Sequence, residues 1–262
     1  MFVRRGFAAI INIERSRTRG TRSTMLKPFL TANWRYMVML NFAVDPKILE
    51  PLVPIETELD FHGGQTFLSV VGFLFLDTRV VGLPIPLHRD FEEVNLRFYV
   101  RRKSANEWRR GVVFVRELVP RRAIALIART FYGEPYSALP MRHVLEHKEG
   151  RVFAEYQWRR GRRWETLAMT ASGEPQTAGQ GSHEEFITEH YWGYTARRDG
   201  CSEYRVEHPR WRLWTAETTK FDADVATLYG PQFVEALLAP PLSGFVAEGS
   251  HIQVYQRTRE PI

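Results

Sequence analysis

Short apolar runs separated by turn residues dominate the hydrophobic pattern of this 262-residue chain from Thr31 onward. Runs of this kind are typical of β-strands rather than long helices. Residues 66–76 are apolar on both faces, which predicts a central strand buried on both sides. The preceding His62-Gly63-Gly64 is a turn signal, so it predicts a hairpin with residues 59–61 as its other arm.

The rest of the pattern adds strands, a loop and a few short helices. Further strands are predicted over 91–100, 111–118, 141–148, 151–159, 163–171 and near 251–256, and the proline-containing segment 81–86 is predicted to be an irregular loop. Short helices are predicted after Asp45-Pro46, from Pro120 through Arg129, from the Ser182 capping box to about His190, and after Asp222 and Pro231. The helices are too few and too scattered for βαβ units, so the pattern predicts one strand-dominated α+β domain.

Charge divides the chain into a basic start and a nearly neutral body. Residues 1–24 carry six arginines and one glutamate, which is +5 of the total net charge of +6. The remainder is therefore close to neutral and offers no net excess of Lys and Arg for nucleic acid. We expect residues 1–24 to be a basic non-structural extension, residues 25–262 to form the single domain that opens at Met25, and no nucleic-acid partner.

The sequence lacks the residues that several kinds of functional site require. The one cysteine, Cys201, excludes an internal disulfide and a zinc site built on several thiolates. His143 and His147 lie four positions apart and His183 and His190 seven, but no third ligand accompanies either pair, so no metal is expected. No phosphate-binding glycine loop is present, so no cofactor is expected.

No apolar run approaches the ~20 residues of a membrane span, and we expect a cytoplasmic protein without a membrane partner. Whether it forms a homo-oligomer is left open.

The segment 91–100 has the clearest two-residue period in the chain. One face carries Val94, Leu96, Phe98 and Val100, and the other carries Phe91, Glu93, Asn95, Arg97 and Tyr99. By pattern alone, the commoner arrangement is a half-buried strand whose polar side faces water. The alternative is that this polar side lines a cavity, where a carboxylate, an amide and a guanidinium between aromatic rings would suit a small polar ligand.

Lysine is scarce, with five residues against 31 arginines. An enzyme that works through an imine needs a buried lysine with a lowered pKa. Four of the five lysines lie beside prolines or in predicted turns, and Lys220 alone could lie inside a strand end.

An ordered set of residues between positions 29 and 255 resembles the YqjF-like family, which belongs to the acetoacetate decarboxylase-like superfamily. The residues that carry the resemblance are Trp34, Asn41, Val44-Asp45-Pro46, Leu49, Leu52-Val53-Pro54, Leu59-Asp60, Gly64, Phe73, Phe91-x-Glu93-x-Asn95-x-Arg97-x-Tyr99-Val100, Gly111-Val112-Val113-Phe114 and His208-Pro209-x-Trp211. The resemblance implies a largely antiparallel sheet curled into a cone or barrel around a central cavity.

The superfamily also implies two site motifs. In acetoacetate decarboxylases a glutamate on a Tyr-x-Glu strand faces the cavity, and Glu93 of Phe91-x-Glu93 looks like its counterpart. Their Gly-x-Pro-Lys-Lys motif supplies the lysine that forms an imine with the substrate. The corresponding segment here looks like Gly133-Glu134-Pro135-Tyr136-Ser137, in which both lysines are replaced. Tyr136 cannot form an imine, so the resemblance implies the fold without that chemistry.

Two functions remain open at this point. In the first, the protein binds a small polar or anionic organic molecule in a closed cavity, with Arg79 and Arg97 holding an anionic group by forked hydrogen bonds and Glu93, Asn95, Glu134 and Tyr136 as further contacts. In the second, it is an enzyme in which Glu93 acts as general base and Tyr136 as proton donor on a small carbonyl or carboxylate compound. A hydrogen bond between Glu93 and Tyr136 would favour the enzyme.

Overall fold

Strands account for most of the architecture in the computed structural model, which describes residues 27–86, 88–104, 107–121, 135–197, 200–256 and 258–261. The strands within these ranges are β1 (Leu30–Val44), β2 (Glu58–Leu59), β3 (Thr66–Val80), β4 (Leu83–Pro84), β5 (Phe91–Lys103), β6 (Trp108–Val119), β7 (Tyr136–Ala138), β8 (Met141–Lys148), β9 (Arg151–Arg160), β10 (Arg163–Ser172), β11 (Gln176–Thr177), β12 (Trp192–Arg197), β13 (Gly200–Glu207), β14 (Arg212–Asp222), β15 (Ser243–Val254) and β16 (Thr258–Pro261). The predicted strands from 66 to 171 are therefore present, most of them a few residues longer than expected.

Seven of these strands close into a ring. Their order is β13-β12-β6-β5-β3-β1-β15, and a short antiparallel pairing of β15 with β13 completes the circle. The pairs around the ring are antiparallel except β6 with β12, which run parallel. Closure removes the exposed edges that an open sheet of this length would present. The expected strand-dominated α+β fold, with a largely antiparallel sheet curled around a centre, is confirmed.

A second sheet covers one side of the ring. It continues from β15 through β14, β10 and β9 to β8 and folds back over the outer face of β1, β3 and β5. Apolar side chains of both layers form the larger core cluster between them, among them Leu96 and Phe98 from β5 and Tyr156 and Trp158 from β9. The layers are closely packed at Gly72, where a Cβ atom would lie 2.8 Å from the Tyr156 ring. A second cluster fills the inside of the ring.

The helices are short and lie at the margins of the sheets. In the described chain they are α1 (Pro46–Leu49), α2 (His183–Thr188), α3 (Val225–Leu228) and α4 (Val234–Leu238). Ser182 caps α2 by accepting the amide of Glu185, as its capping-box sequence predicts. The helix ends two residues before the expected His190, and this places His190 outside helical structure. None of the helices in the described ranges has the length and apolar character to cross a membrane.

Two local predictions are only partly right. Gly63 and Gly64 form the predicted turn, with φ of 58° and 78°, and His62 and Gln65 exchange both backbone hydrogen bonds across it. The predicted arm 59–61 does not continue the hairpin, since Leu59 pairs with Val100 of β5 and not with β3. The proline segment 81–86 is not wholly irregular, since β4 pairs back onto β3. Proline is tolerated at position 84 because a two-residue edge strand leaves one side without ladder hydrogen bonds.

Two predictions fall on residues that are not described. The helix expected from Pro120 to Arg129 lies, beyond Arg121, outside the described residues. The basic extension 1–24 also lies outside them, so its independence from the domain stays a prediction.

Candidate functional site

The ring surrounds a cavity of about 140 Å³ to which all seven of its strands contribute side chains. Most of the wall is aromatic or aliphatic, and its largest rings belong to Trp34, Trp192 and Trp211. For scale, an apolar cavity of about 150 Å³ holds a benzene molecule. The space therefore fits an organic molecule with roughly six to eight non-hydrogen atoms.

Glu93 is a carboxyl group within this mostly apolar wall. The strand period places it inside the ring on β5, opposite Phe73 of β3, with 3% of its surface exposed. Asn95 Nδ2 donates to Glu93 Oε1 over 3.0 Å, and the Tyr136 hydroxyl donates to Glu93 Oε2 over 3.1 Å. Burial raises the pKa of Glu93 from 4.5 to about 7, although the two hydrogen bonds and the charge of Arg97 oppose the shift. Glu93 can therefore exchange a proton near neutral pH.

Tyr136 reaches Glu93 because β7 runs parallel to β6 and pairs with its end. Tyr136 lies in register with Glu117, which is itself opposite Asn95. Glu117 lines the cavity and was not anticipated from the sequence. The neighbouring Ser137 accepts a hydrogen bond from Arg116 Nη1 at 3.2 Å and takes no part in the cavity wall.

Arg97 lines the same cavity on the same face of β5. Its Nη2 donates to the Ile187 carbonyl over 3.3 Å, and its guanidinium lies 5.6 Å from the centre of the Tyr99 ring. Within the described residues it forms no ion pair with Glu93 or any other carboxylate. Arg97 is therefore a cation whose remaining donors are not taken up by any acid of the described residues.

The structure separates Arg79 from these residues. Arg79 is on β3 between Thr78 and Val80, both of which line the cavity. Because alternate side chains of a strand point to opposite faces, Arg79 points outward, where it is 43% exposed and bonds Asp77 at 3.4 Å. The expectation that Arg79 and Arg97 jointly hold an anion is therefore wrong for Arg79. Glu134 lies outside the described residues.

The cavity wall contains polar groups that the sequence analysis did not single out. Thr78, His190 and His208 all line it, and His208 stacks on Trp211 with ring centres 3.9 Å apart. Several buried polar atoms of the wall have no hydrogen-bond partner in the described part of the chain: Trp34 Nε1, Thr78 Oγ1, Asn95 Oδ1, Arg97 Nε and His190 Nδ1. Buried polar atoms are normally paired, so this concentration is typical of a site that a ligand or water completes.

All five lysines of the chain fall within the described residues, and each is exposed: Lys27, Lys47, Lys103, Lys148 and Lys220. None of them lines the cavity. Lys220 does lie within a strand, β14, as the sequence suggested, but on its exposed side.

The histidine pairs do not converge on a common centre. His143 is exposed on β8 and contacts Glu92 Oε1 through Nδ1 at 2.7 Å. His183 contacts the Ser243 hydroxyl at 2.9 Å, whereas His190 contacts Asp60. Across the described ranges no group of three His, Cys, Asp or Glu side chains is arranged to hold a metal ion.

Solved structures with the same architecture are acetoacetate decarboxylase-like proteins. Acetoacetate decarboxylase from Legionella pneumophila superposes with a TM-score of 0.61 at 12% identity, covering 96% of both chains. The enduracididine biosynthesis enzyme MppR, solved in complex with pyruvate, superposes with a TM-score of 0.59 at 15% identity over 90% of this chain and 92% of its own. At these identities the likeness establishes the fold.

Sequence comparison identifies the family. The uncharacterized protein YqjF of Bacillus subtilis is 32% identical over 187 residues, which are 70% of this chain and 74% of that protein. The family model described as an uncharacterized conserved protein, DUF2071, matches residues 31–250. This range contains most of the ring, the cavity face of β5 and the second sheet. The chain therefore belongs to the DUF2071 family and has the acetoacetate decarboxylase-like fold.

Proposed function

We propose that the cavity binds a small organic acid. The observation that carries the proposal is Glu93, a buried carboxyl held by Asn95 and Tyr136 within a mostly apolar wall. A buried carboxyl lowers the stability of the fold, so its presence indicates that function requires it. Groups with strongly shifted pKa values also concentrate at functional sites.

Arg97 indicates that the ligand is negatively charged. It lines the cavity without an ion-pair partner among the described residues, and a guanidinium binds a carboxylate through two parallel hydrogen bonds. The aromatic wall would accommodate the hydrocarbon part. The volume of about 140 Å³ limits the ligand to the size of a four- or five-carbon acid.

Binding can be tested with butanoate by ligand-observed NMR on the full chain. Val112 lines the cavity, and Val112→Phe fills part of it without adding a polar group. We expect saturable millimolar binding by the wild-type protein and none by Val112→Phe. Equal signals from both would place the binding elsewhere, and no signal from a folded wild type would contradict the proposal.

A second candidate function is acid–base catalysis, which the hydrogen bond between Tyr136 and Glu93 specifically favours. A base with a pKa of about 7 is well matched to proton transfer at neutral pH. The Glu93 carboxylate would take a proton from the carbon beside a carbonyl group, and the Tyr136 hydroxyl would give its proton to the carbonyl oxygen as the enol forms. Imine chemistry is disfavoured because all five lysines are exposed.

This reaction would exchange carbon-bound hydrogen with solvent. We expect the wild-type protein to speed the incorporation of deuterium at carbon 3 of 2-oxobutanoate in D₂O, and Glu93→Gln to abolish the effect. Deuterium exchange at the rate of buffer alone would contradict the catalytic function and would not affect the binding function.

A further inference from the structure

His190 is a second polar group of the cavity, outside the Glu93 cluster. It follows α2 by two residues and lies inside the ring with 1% of its side chain exposed. Its Nε2 atom is 3.3 Å from Asp60 Oδ2, and Arg110 Nε donates to the same oxygen over 2.6 Å. Asp60 is itself buried, so the imidazole is held between a buried carboxylate and the cavity.

The position of the imidazole is fixed by packing. The backbone amide of Asp60 donates to the Tyr99 carbonyl on β5 over 3.0 Å, which anchors the carboxylate to the ring of strands. The His190 ring lies 4.7 Å from the Tyr99 ring and 5.2 Å from the Phe186 ring. The imidazole is therefore oriented before any ligand enters.

The neighbours of His190 also determine which nitrogen carries the proton. Burial alone would raise the pKa of Asp60, but its hydrogen bonds to His190 and Arg110 hold that pKa below its ordinary value. Asp60 is then an anion that can only accept, so His190 Nε2 must be the donor. Burial lowers the pKa of His190 to about 4, and the ring is neutral at pH 7. Its Nδ1 atom is therefore a bare acceptor.

Nδ1 has no hydrogen-bond partner in the described part of the chain, although it is buried and its ring lines the cavity. A buried acceptor of this kind is satisfied only by a donor from a ligand or water. Arg97 lies close enough to act electrostatically on both His190 and Glu93, and Arg110 adds a second positive charge beside the imidazole. A ligand hydroxyl can supply the missing donor without bringing a further charge into the site.

Resting on the proposed binding of a small acid, we propose that His190 Nδ1 accepts a hydrogen bond from a ligand hydroxyl, so that the preferred occupant is a small hydroxy acid. The carboxylate of that acid pairs with Arg97 and its hydroxyl meets the imidazole. Asp60 acts as a positioning residue, because it fixes the tautomer that leaves Nδ1 free to accept.

The test compares acids that differ by one hydroxyl. The probes are butanoate and its 2-, 3- and 4-hydroxy derivatives, titrated into the wild-type full chain and into His190→Phe, whose ring retains the aromatic contacts. We expect one hydroxybutanoate to bind the wild type roughly ten-fold more tightly than butanoate, the worth of one hydrogen bond in a buried site. In His190→Phe this advantage should vanish while butanoate affinity is retained.

The outcomes separate this inference from the function on which it rests. If butanoate binds and no hydroxybutanoate binds more tightly, or if the preference survives in His190→Phe, the inference is wrong and the binding function stands. If none of the acids binds, both are wrong. Should His190→Phe fail to fold, ¹⁵N NMR of the wild type decides: Nδ1 should be unprotonated and should shift with the preferred hydroxybutanoate but not with butanoate. A protonated Nδ1 would overturn the inference.

Discussion

The Tyr136 hydroxyl donates to Glu93 Oε2 over 3.1 Å and so joins two strands that are not neighbours in the sheet. β7 pairs with β6, and β6 separates it from β5. Tyr136 stands where the resemblance to acetoacetate decarboxylases implies a lysine. In this protein the group that contacts the buried glutamate is a hydroxyl proton donor.

The buried state of Glu93 predicts a characteristic dependence of stability on pH. Its pKa is about 7 in the folded protein and near 4.5 when exposed, so the folded state holds the proton more tightly. The resulting stability is full below about pH 4.5 and is lost as pH rises through 7. Between about pH 4 and 8, the free energy of unfolding of the wild type should fall by on the order of 3 kcal/mol more than that of Glu93→Gln.

Urea unfolding at a series of pH values measures this difference, and Glu92→Gln is the matched control. Glu92 lies on the opposite face of β5, where its hydrogen bond to His143 and nearby positive charge outweigh burial and lower its pKa. Its contribution is instead lost as pH falls. Identical pH profiles for the wild type and Glu93→Gln would show that Glu93 is not buried as described.

Tyr136→Phe should move the pKa of Glu93 upward. The hydroxyl of Tyr136 donates to the carboxylate and so favours its charged form, and removing the hydroxyl should raise the pKa by roughly 1 pH unit. A ¹³C NMR titration of the Glu93 carboxyl measures the change. Tyr99→Phe is the control, because the Tyr99 hydroxyl contacts Ser69 and should leave the titration unaltered. An unchanged midpoint in Tyr136→Phe would contradict the contact.

Treatment with borohydride in the presence of acetoacetate or 2-oxobutanoate should leave the mass of the protein unaltered. A reducible imine needs a lysine that meets the substrate in the cavity, and all five lysines are exposed away from it. An acetoacetate decarboxylase that carries the motif lysine serves as the positive control. A reduced adduct on Lys220, or on any other lysine, would refute this expectation.

Gly72→Ala should destabilise the fold by about 1–3 kcal/mol, as overpacking of a tight core does. A Cβ atom there would lie 2.8 Å from the Tyr156 ring and 3.0 Å from Leu167, between the ring and the second sheet. Gly179→Ala is the control, since its Cβ would meet nothing within 4 Å and its φ is not positive. Denaturant unfolding compares them. Equal stabilities would mean that the layers are not so closely packed.

Local pattern was enough to predict β3, β5, β6, β8, β9 and β10, because a two-residue period or an apolar run is a property of the segment itself. No separate strand was predicted for β1, β12, β13 or β14. The partners of those strands were harder to predict. Leu59 pairs with Val100 of β5 just beyond the end of the β3–β5 pairing at Phe98, on the side of β5 away from β6. The end of α2 was also missed: Thr188 is its last residue, and the backbone of Glu189 is no longer helical.

Strand periodicity grouped Glu93, Asn95 and Arg97 on one face, but it could not say whether that face met water. This face of β5 is buried because the ring closes and its other strands, among them β6, β12 and β13, enclose the face.

Arg79 was misassigned because a β-bulge at Asp77, whose φ is 51°, shifts the alternation of β3. Phe73 and Phe75 line the cavity before the bulge, and Thr78 and Val80 line it afterwards. His190 was considered only as a possible metal ligand paired with His183. Its role depends on Asp60, 130 residues earlier in the chain.

If the cavity face of β5 binds a small organic acid through Arg97, a matched arginine outside the cavity provides the comparison. Calorimetric titration of butanoate into the wild type, Arg97→Met and Arg79→Met compares an arginine inside the cavity with one outside it. We expect Arg79→Met to bind like the wild type and Arg97→Met to bind roughly ten-fold more weakly, the loss of one charged hydrogen bond. Wild-type affinity in Arg97→Met would show that Arg97 does not hold the carboxylate of the ligand.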